Sequence, residues 1–539
     1  MNNFLSPPAQ AHIRAIEQVL RSIETALPIP GSHRRDLPVA VRDLSSLLTD
    51  ERNQGLSQSY WATRRLASAY YYYFLPWNLF RLAWVLPSLP FNLQANDRVL
   101  DLGCGPLTLP LALWCAKPEL RSLPLSFSCV DMAAQPMTAG REVFRALEEA
   151  TGSPLPWTFE LVRSQLETAP SRFAPGFGLI MGGNALNELA SAHGSTQAER
   201  VCTLTANCAK RLRPGGSLFF AEPGTRLGGK LIALTRENLL RAGLAVQSPC
   251  PHSGPCPMLS HRTPHGGLFS GWCHFNCPAK GAPKQLEALT KQAKFTRHSL
   301  AVAALFAQNS PKQPEEKVAD HESCLRSSSG QTGPQDTAML FDDGDAGGFM
   351  DALAELEALY NETMDEETAP QKAMAKRATE RNLARPGQQY PAPPDPPIAA
   401  RIISGPISLP GSPLQARYAC SGAGLLLVRH VPTLPHGAGI MVSWQKIDRD
   451  GKTGALLVDM VGRSPDATVR PGTATRPGTT AKPEKASDPR KPRTARTGGK
   501  PKEKSRPEKK DTAQTEKRKS RPPIASRARR PKESGRSSS

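Results

Sequence analysis

Between Ser248 and Pro278 the chain reads SPCPHSGPCPML, then a loop, then WCHFNCP, which crowds Cys250, Cys256, Cys273 and Cys277 with His252 and His274 into 28 residues. Soft thiolates select zinc or iron–sulfur centres over hard cations. Proline-fenced loops are exposed places where inert core cysteines seldom gather, so metal ligation is the expectation for this cluster. Its spacing, Cys250-x5-Cys256-x16-Cys273-x3-Cys277, departs from the paired short knuckles of zinc ribbons, which only the last pair matches. On the residues alone, zinc and an iron–sulfur centre both stay open. The 11 cysteines of the chain point to thiols and metal ligands, with no disulfide framework and no disulfide-linked partner.

A second group with chemical potential is DLGCGP, carrying Asp101, Gly103 and Gly105, followed by Asp131 at the end of the next apolar run. Glycines in the first turn of an open α/β sheet let a ligand approach the backbone closely, and a carboxylate after the second strand can accept from both hydroxyls of a ribose. A dinucleotide site would need a third glycine where Thr108 stands. D-x-G-x-G with the later acid instead resembles class I methyltransferases that bind S-adenosylmethionine. Asn184 in GGNALNEL would lie beside the bound nucleoside, but this stretch lacks the N-P-P-Y type clamp of amino-methylating enzymes.

The elements that must position these groups follow from periodicity. Ile13, Ile16, Val19, Leu20, Ile23 and Leu27 recur at helical spacing, so residues 1–92 are expected to form a helical region. The window YYYFLPWNLFRLAWVLPSLPF is broken by Arg81 and three prolines; it reads as a buried helix and no membrane span. Alternating strands and helices over residues 93–306 predict a doubly wound α/β sheet, with the cysteine-rich loop 248–280 in a late connection. Residues 307–399 are low in complexity around one acidic, helix-like patch and read as an insertion or linker. Residues 400–462 read as a small β unit. The tail, 463–539, holds 24 Lys and Arg against 8 Asp and Glu, most of the net charge of +20; it is expected to be disordered and to meet phosphates.

DLGCGP, NALNEL, LRPGGSLFFAEPGT, CPHSGPCP and WCHF, in this order, resemble the methyltransferase-like assembly factors of the mitochondrial small ribosomal subunit and their bacterial relatives. The resemblance covers roughly Leu44 to His298 and, more faintly, Arg401 to Lys446. It implies a class I methyltransferase fold bound to small-subunit rRNA and ribosomal particles, with a four-cysteine 4Fe-4S cluster. By that resemblance the ligands are Cys250, Cys256, Cys273 and Cys420, with a local site using Cys277 as the rival. Asp101, Gly103, Gly105, Asp131 and Asn184 are the expected contacts of S-adenosylmethionine. The expected function is that of an rRNA-binding assembly or translation factor. An active rRNA methyltransferase, and a zinc-stabilised α/β protein without an RNA role, are the alternatives. The N-terminal residues carry no recognisable leader pattern, so the cytoplasm is the expected compartment.

Overall fold

The computed structural model describes residues 3–49, 60–189, 196–310, 397–409, 415–429, 434–444 and 448–461. The acidic patch of the linker and the basic tail lie outside the described residues.

Helix α1 (Gln10–Ala26) buries Ile13, Ile16, Val19, Leu20 and Ile23, the stripe its sequence period requires. It is followed by α2 (Gly31–Thr49), α3 (Arg64–Ala69) and α4 (Leu75–Leu82), with one π-helical turn over Tyr70–Phe74 joining the last two. This is the aromatic stretch expected as buried helix. No helix of the described residues is long and apolar enough to cross a membrane.

The main sheet contains β1 (Asp97–Leu102), β2 (Leu125–Asp131), β3 (Trp157–Arg163), β4 (Phe177–Gly183), β5 (Leu212–Pro223), β6 (Ala245–Ser248), β7 (Phe275–Pro278) and β8 (Ser299–Gln308). Its order is β3-β2-β1-β4-β5-β8-β6, with β8 running antiparallel to its neighbours. Central strands such as β4 are buried almost end to end, because helices cover both faces; that is why they read as unbroken apolar runs. Helix α5 (Thr108–Ala116) follows β1 and α6 (Ala134–Thr151) follows β2, and α1 packs on both. Helices α7 (Gln197–Ala209) and α8 (Arg226–Arg241) flank β5 and pack on each other. Strand order reverses between β1 and β4, the place where open α/β sheets bind their ligands.

Strands β6 and β7 pair with different stretches of β8: Ala245 lies opposite Gln308, Phe275 opposite Val302. Residues 249–274 therefore leave the sheet and return to the same strand, carrying the short helix α9 (Pro257–Ser260) on the way. The Ser248–Pro249 peptide at the start of this excursion is cis. Helix α10 (Lys284–Gln292) leads into β8. Periodicity did not reveal β7, which is only 4 residues long.

The C-terminal unit has strands β9 (Ile398–Ile402), β10 (Ile407–Ser408), β11 (Gln415–Ser421), β12 (Gly424–Arg429), β13 (Gly439–Ser443) and β14 (Leu456–Met460). Five of them close into a ring, β9-β11-β12-β14-β13 and back to β9, with β12 and β14 parallel. This is the strand arrangement of the OB-fold. Ala400, Ile402, Ala419, Leu426, Val428 and Trp444 fill the barrel. Alternate residues of β11 and β12, among them Ala416, Cys420, Leu425 and Leu427, belong to the principal core of the α/β body.

Candidate cofactor and metal sites

The turn after β1 needs its glycines for two different reasons. Gly103 (φ +65°) lies so close to Ala185 that an added Cβ would stand 2.9 Å from the alanine Cβ. Gly105 (φ +51°) would meet nothing within 4 Å, so its requirement is the left-handed backbone and the space above it is open. Asp131 clasps this turn. One carboxylate oxygen accepts from the Gly105 N–H at 2.8 Å and the other from the Ala133 N–H at 2.9 Å. Burial raises the Asp131 pKa while these N–H groups oppose the rise. Beside it Met132 is 54% exposed, a large apolar side chain left facing outwards.

Asp101 is fully buried and neither of its carboxylate oxygens has a partner. Burial, then the nearby Asp131, pushes its pKa well above the ordinary carboxylate range. A buried acceptor without a donor is costly, so its retention at a glycine turn points to a donor supplied by a ligand.

The helical cap closes over the same end of the sheet. Arg81 of α4, 9% exposed, donates from Nη2 to Asn184 Oδ1 at 2.8 Å and to Asn78 Oδ1 at 2.9 Å. Asn184 itself adopts φ +57° directly after β4, and its N–H donates to the Ala221 carbonyl at 2.8 Å. Tyr70, in the π-helical turn, feels the charges of Glu188 and Asp131; burial and those carboxylates push its phenol up to about 12. Of the residues expected at the cofactor, Asp101, Gly103, Gly105 and Asp131 come together around one turn, and Asn184 lies across from them with its oxygen committed to Arg81. Arg81 and Tyr70 were not anticipated as part of the site. The signal for Arg81 was its lone charge in an apolar helix.

The second site joins the loop to the barrel. Cys256 and Cys420 are buried, Cys250 and Cys273 are half-buried, and Cys256, Cys273 and Cys420 each feel the charge of the neighbouring thiols. Burial raises all four thiols above their ordinary range; the neighbouring thiols add to the rise at Cys256, Cys273 and Cys420, and Arg236 opposes it at each. Cys256 reaches about 12. Cys277 is elsewhere: it is fully buried in the core and, apart from burial, feels only Arg81. His252 presents Nε2 to the Cys420 sulfur at 3.2 Å, and burial followed by Arg236 lowers its pKa to about 4. His274 stacks on Trp272 with ring centroids 5.1 Å apart. Among the described residues no three His, Cys, Asp or Glu side chains are gathered as a single metal ion requires.

Strand order, glycine turn and the acid after β2 define a class I methyltransferase-like protein, built here with an N-terminal helical cap and a C-terminal barrel. More particularly, residues 94–303 match the family model described as "Mitochondrial small ribosomal subunit Rsm22". That match takes in the loop cysteines and ends before the barrel. Similar solved structures include a methyltransferase from Pyrococcus furiosus, 11% identical over 41% of this chain and 78% of that chain, TM-score 0.24. Another is a 16S rRNA (adenine(1408)-N(1))-methyltransferase variant from Catenulisporales acidiphilia, 15% identical over 41% and 88% of the two chains, TM-score 0.24. A precorrin-6y C5,15-methyltransferase from Geobacter metallireducens is 11% identical over 41% and 84%, TM-score 0.24. No curated protein matches the sequence.

Proposed function

We propose that this protein is an rRNA-binding assembly or translation factor of the small ribosomal subunit that binds S-adenosylmethionine and is held together by an iron–sulfur cluster. The observation that carries the cluster is the meeting of Cys420, from β11 of the barrel, with three loop cysteines about 150 to 170 residues earlier in the chain. Four thiols within electrostatic reach, two buried and two half-buried, are the soft donor set that an iron–sulfur cluster takes, and the resemblance favours the cluster over zinc. When bound, such a cluster would supply a covalent cross-link between loop and barrel. Anaerobic purification of wild type, Cys420→Ser and Cys277→Ser, followed by iron, sulfide and zinc analysis, tests this. Loss in Cys420→Ser alone is expected. Loss in Cys277→Ser with full content in Cys420→Ser, or zinc without sulfide in the wild type, would overturn it.

The cofactor fits the first site. Gly105 leaves room for a ligand, Asp101 offers two unpartnered acceptors to an ammonium, Asp131 retains lone pairs for ribose hydroxyls, and Met132 offers an apolar surface to a nucleobase. Methyl transfer is not part of this reading, because Arg81 holds Asn184 at the strand end where an acceptor base would have to approach. Labelled methyl incorporation into immature small subunits is therefore expected to be absent, and its appearance would favour an active rRNA methyltransferase. The RNA role rests on the family match together with the basic tail, and co-sedimentation with small-subunit particles tests it. The OB-fold face that elsewhere meets oligonucleotides, strands two and three, is here the face that carries Cys420 and packs inwards. RNA contact is accordingly assigned to other surfaces. The cytoplasm remains the proposed compartment, while the family's description names the mitochondrion; fractionation distinguishes them.

A further inference from the structure

Two arginines are buried at the four-thiol site, and neither is explained by the cysteines' role as ligands. Arg401 is 4% exposed and Arg236 is 1% exposed. Arg401 sits on β9 directly opposite Cys420 in the β9–β11 register. Directly opposed residues of an antiparallel pair present their side chains to the same side of the sheet. From there its Nε donates to the Pro249 carbonyl at 2.8 Å, one residue before Cys250, and Nη1 donates to the Gly437 carbonyl at 2.9 Å. Arg236, on α8, approaches from the body. Its Nη2 donates to the His252 and Gly254 carbonyls, both at 2.8 Å, and its charge is felt by the Cys250 thiol. The peptide that carries Cys250 is thus gripped on both sides.

We propose that Arg236 and Arg401 are the charge partners of the four-cysteine site, placed so that four thiolates and the anionic metal complex they form can be kept out of water. This rests on the metal-binding reading above. A cluster of the ordinary oxidised charge, like a single zinc, leaves a four-thiolate complex with two surplus negative charges, and a buried anion persists only when it is paired. Guanidinium suits the task, since it is always charged, weakly hydrated and able to bond several acceptors in one plane. Arg236 shares its charge with Glu237, which it pairs and which also accepts from the Cys256 N–H at 3.0 Å. Because Arg401 rises from the barrel and bonds the Pro249 carbonyl, it orders the loop as well as lending charge. Both act through the ligands, as positioning residues.

The test uses the full chain, loaded anaerobically with iron and sulfide, and separately with Co²⁺ as a thiolate-sensitive probe. Arg401→Gln and Arg236→Gln keep a hydrogen-bond donor without charge, whereas Arg401→Lys keeps charge. Arg417→Gln removes another buried arginine of the barrel, which bonds the Ser404 carbonyl, and controls for folding together with thermal melting. Arg401→Gln is expected to lose metal to a chelator about tenfold faster or more, the usual scale for partners of metal ligands. It is also expected to lower the cluster's midpoint potential, because a buried positive charge favours the reduced form. Arg401→Lys should recover most of both, and Arg236→Gln should show a loss of the same kind. Glutamine variants as retentive as wild type, with unchanged potential, would overturn this inference alone. A lysine variant as impaired as glutamine would refute the role of charge. A wild type that retains neither iron nor cobalt would remove the metal reading and this inference with it.

Discussion

Asp101 is the residue whose chemistry is most at odds with its surroundings: a carboxyl shut away from water with no donor. Its folded-state pKa is raised, so the folded protein holds that proton more tightly than the unfolded chain. Its stabilising contribution is complete below the ordinary carboxylate range and is lost as pH rises to the raised value. Asp101→Asn removes the titration. We expect the stability–pH curve of the ligand-free variant to be flatter, because an amide does not titrate and so loses no stability as pH rises toward the raised value. We also expect its affinity for S-adenosylmethionine to fall by about tenfold, the worth of roughly one charged hydrogen bond. Thermal melting across pH and titration calorimetry check both halves. A variant that binds as tightly as wild type would leave Asp101 without a ligand to serve.

Helix α8 and the cysteine loop meet at Gly229. An added Cβ there would stand 2.7 Å from Trp272 Cδ1 and 3.0 Å from the Cys273 carbonyl oxygen. In an exposed helix, glycine to alanine would gain about 0.5–1 kcal/mol. Here the overlap costs more, about 1–3 kcal/mol for a packed interior, and the strain falls on the residue bearing a proposed ligand. Gly229→Ala is therefore expected to lower the melting temperature and the retained iron together, with melting curves and metal analysis as the measurements. Stabilisation by the alanine would show that Trp272 and its loop yield freely. The same element explains why Cys273 and Cys277 part company: β7 pairs with β8 and carries Cys277 into the core, while Cys273 precedes the strand and stays with the loop.

Across the whole molecule, the barrel is attached by two kinds of contact. Ala416, Leu425 and Leu427 pack into the core of the body, and Cys420 with Arg401 closes the thiol site. Since metal-ligand free energy is folding free energy where the ligands lie far apart in the chain, chelation should loosen the barrel without unfolding the sheet. Hydrogen exchange is expected to accelerate in β9–β14 and near 249–274, and to change little in β1–β5. Equal acceleration everywhere would deny the site its place as a local staple. The basic tail is proposed to contribute phosphate contact. Its Lys and Arg lie among Pro, Ser and Thr without aromatics for stacking. Deleting residues 463–539 should flatten the salt dependence of RNA binding, each lost phosphate contact lowering the slope by about 0.7–0.9. A truncated protein that kept its slope but lost preference for one rRNA site would show the tail to be a specificity element.

The sequence by itself determined the alternation that builds the sheet, the helical stripe of α1, the glycine turn with Asp101 and Asp131, and the small β unit after the linker. Each of these is written in a local period or a short motif, so it can be read without knowing what lies opposite. Only the tertiary structure decided which thiols meet. Cys273 and Cys277 are near neighbours in the chain and diverge because strand pairing claims one of them. Cys420 joins the loop because closing the barrel brings β11 and β9 against it. The charges of Arg81, Arg236 and Arg401 were visible in the sequence and their burial was not, because a buried charge depends on partners contributed by distant segments. The ring of β9–β14 was equally out of reach, since a period-two pattern shows that a strand has an inner face without saying which strands close around it.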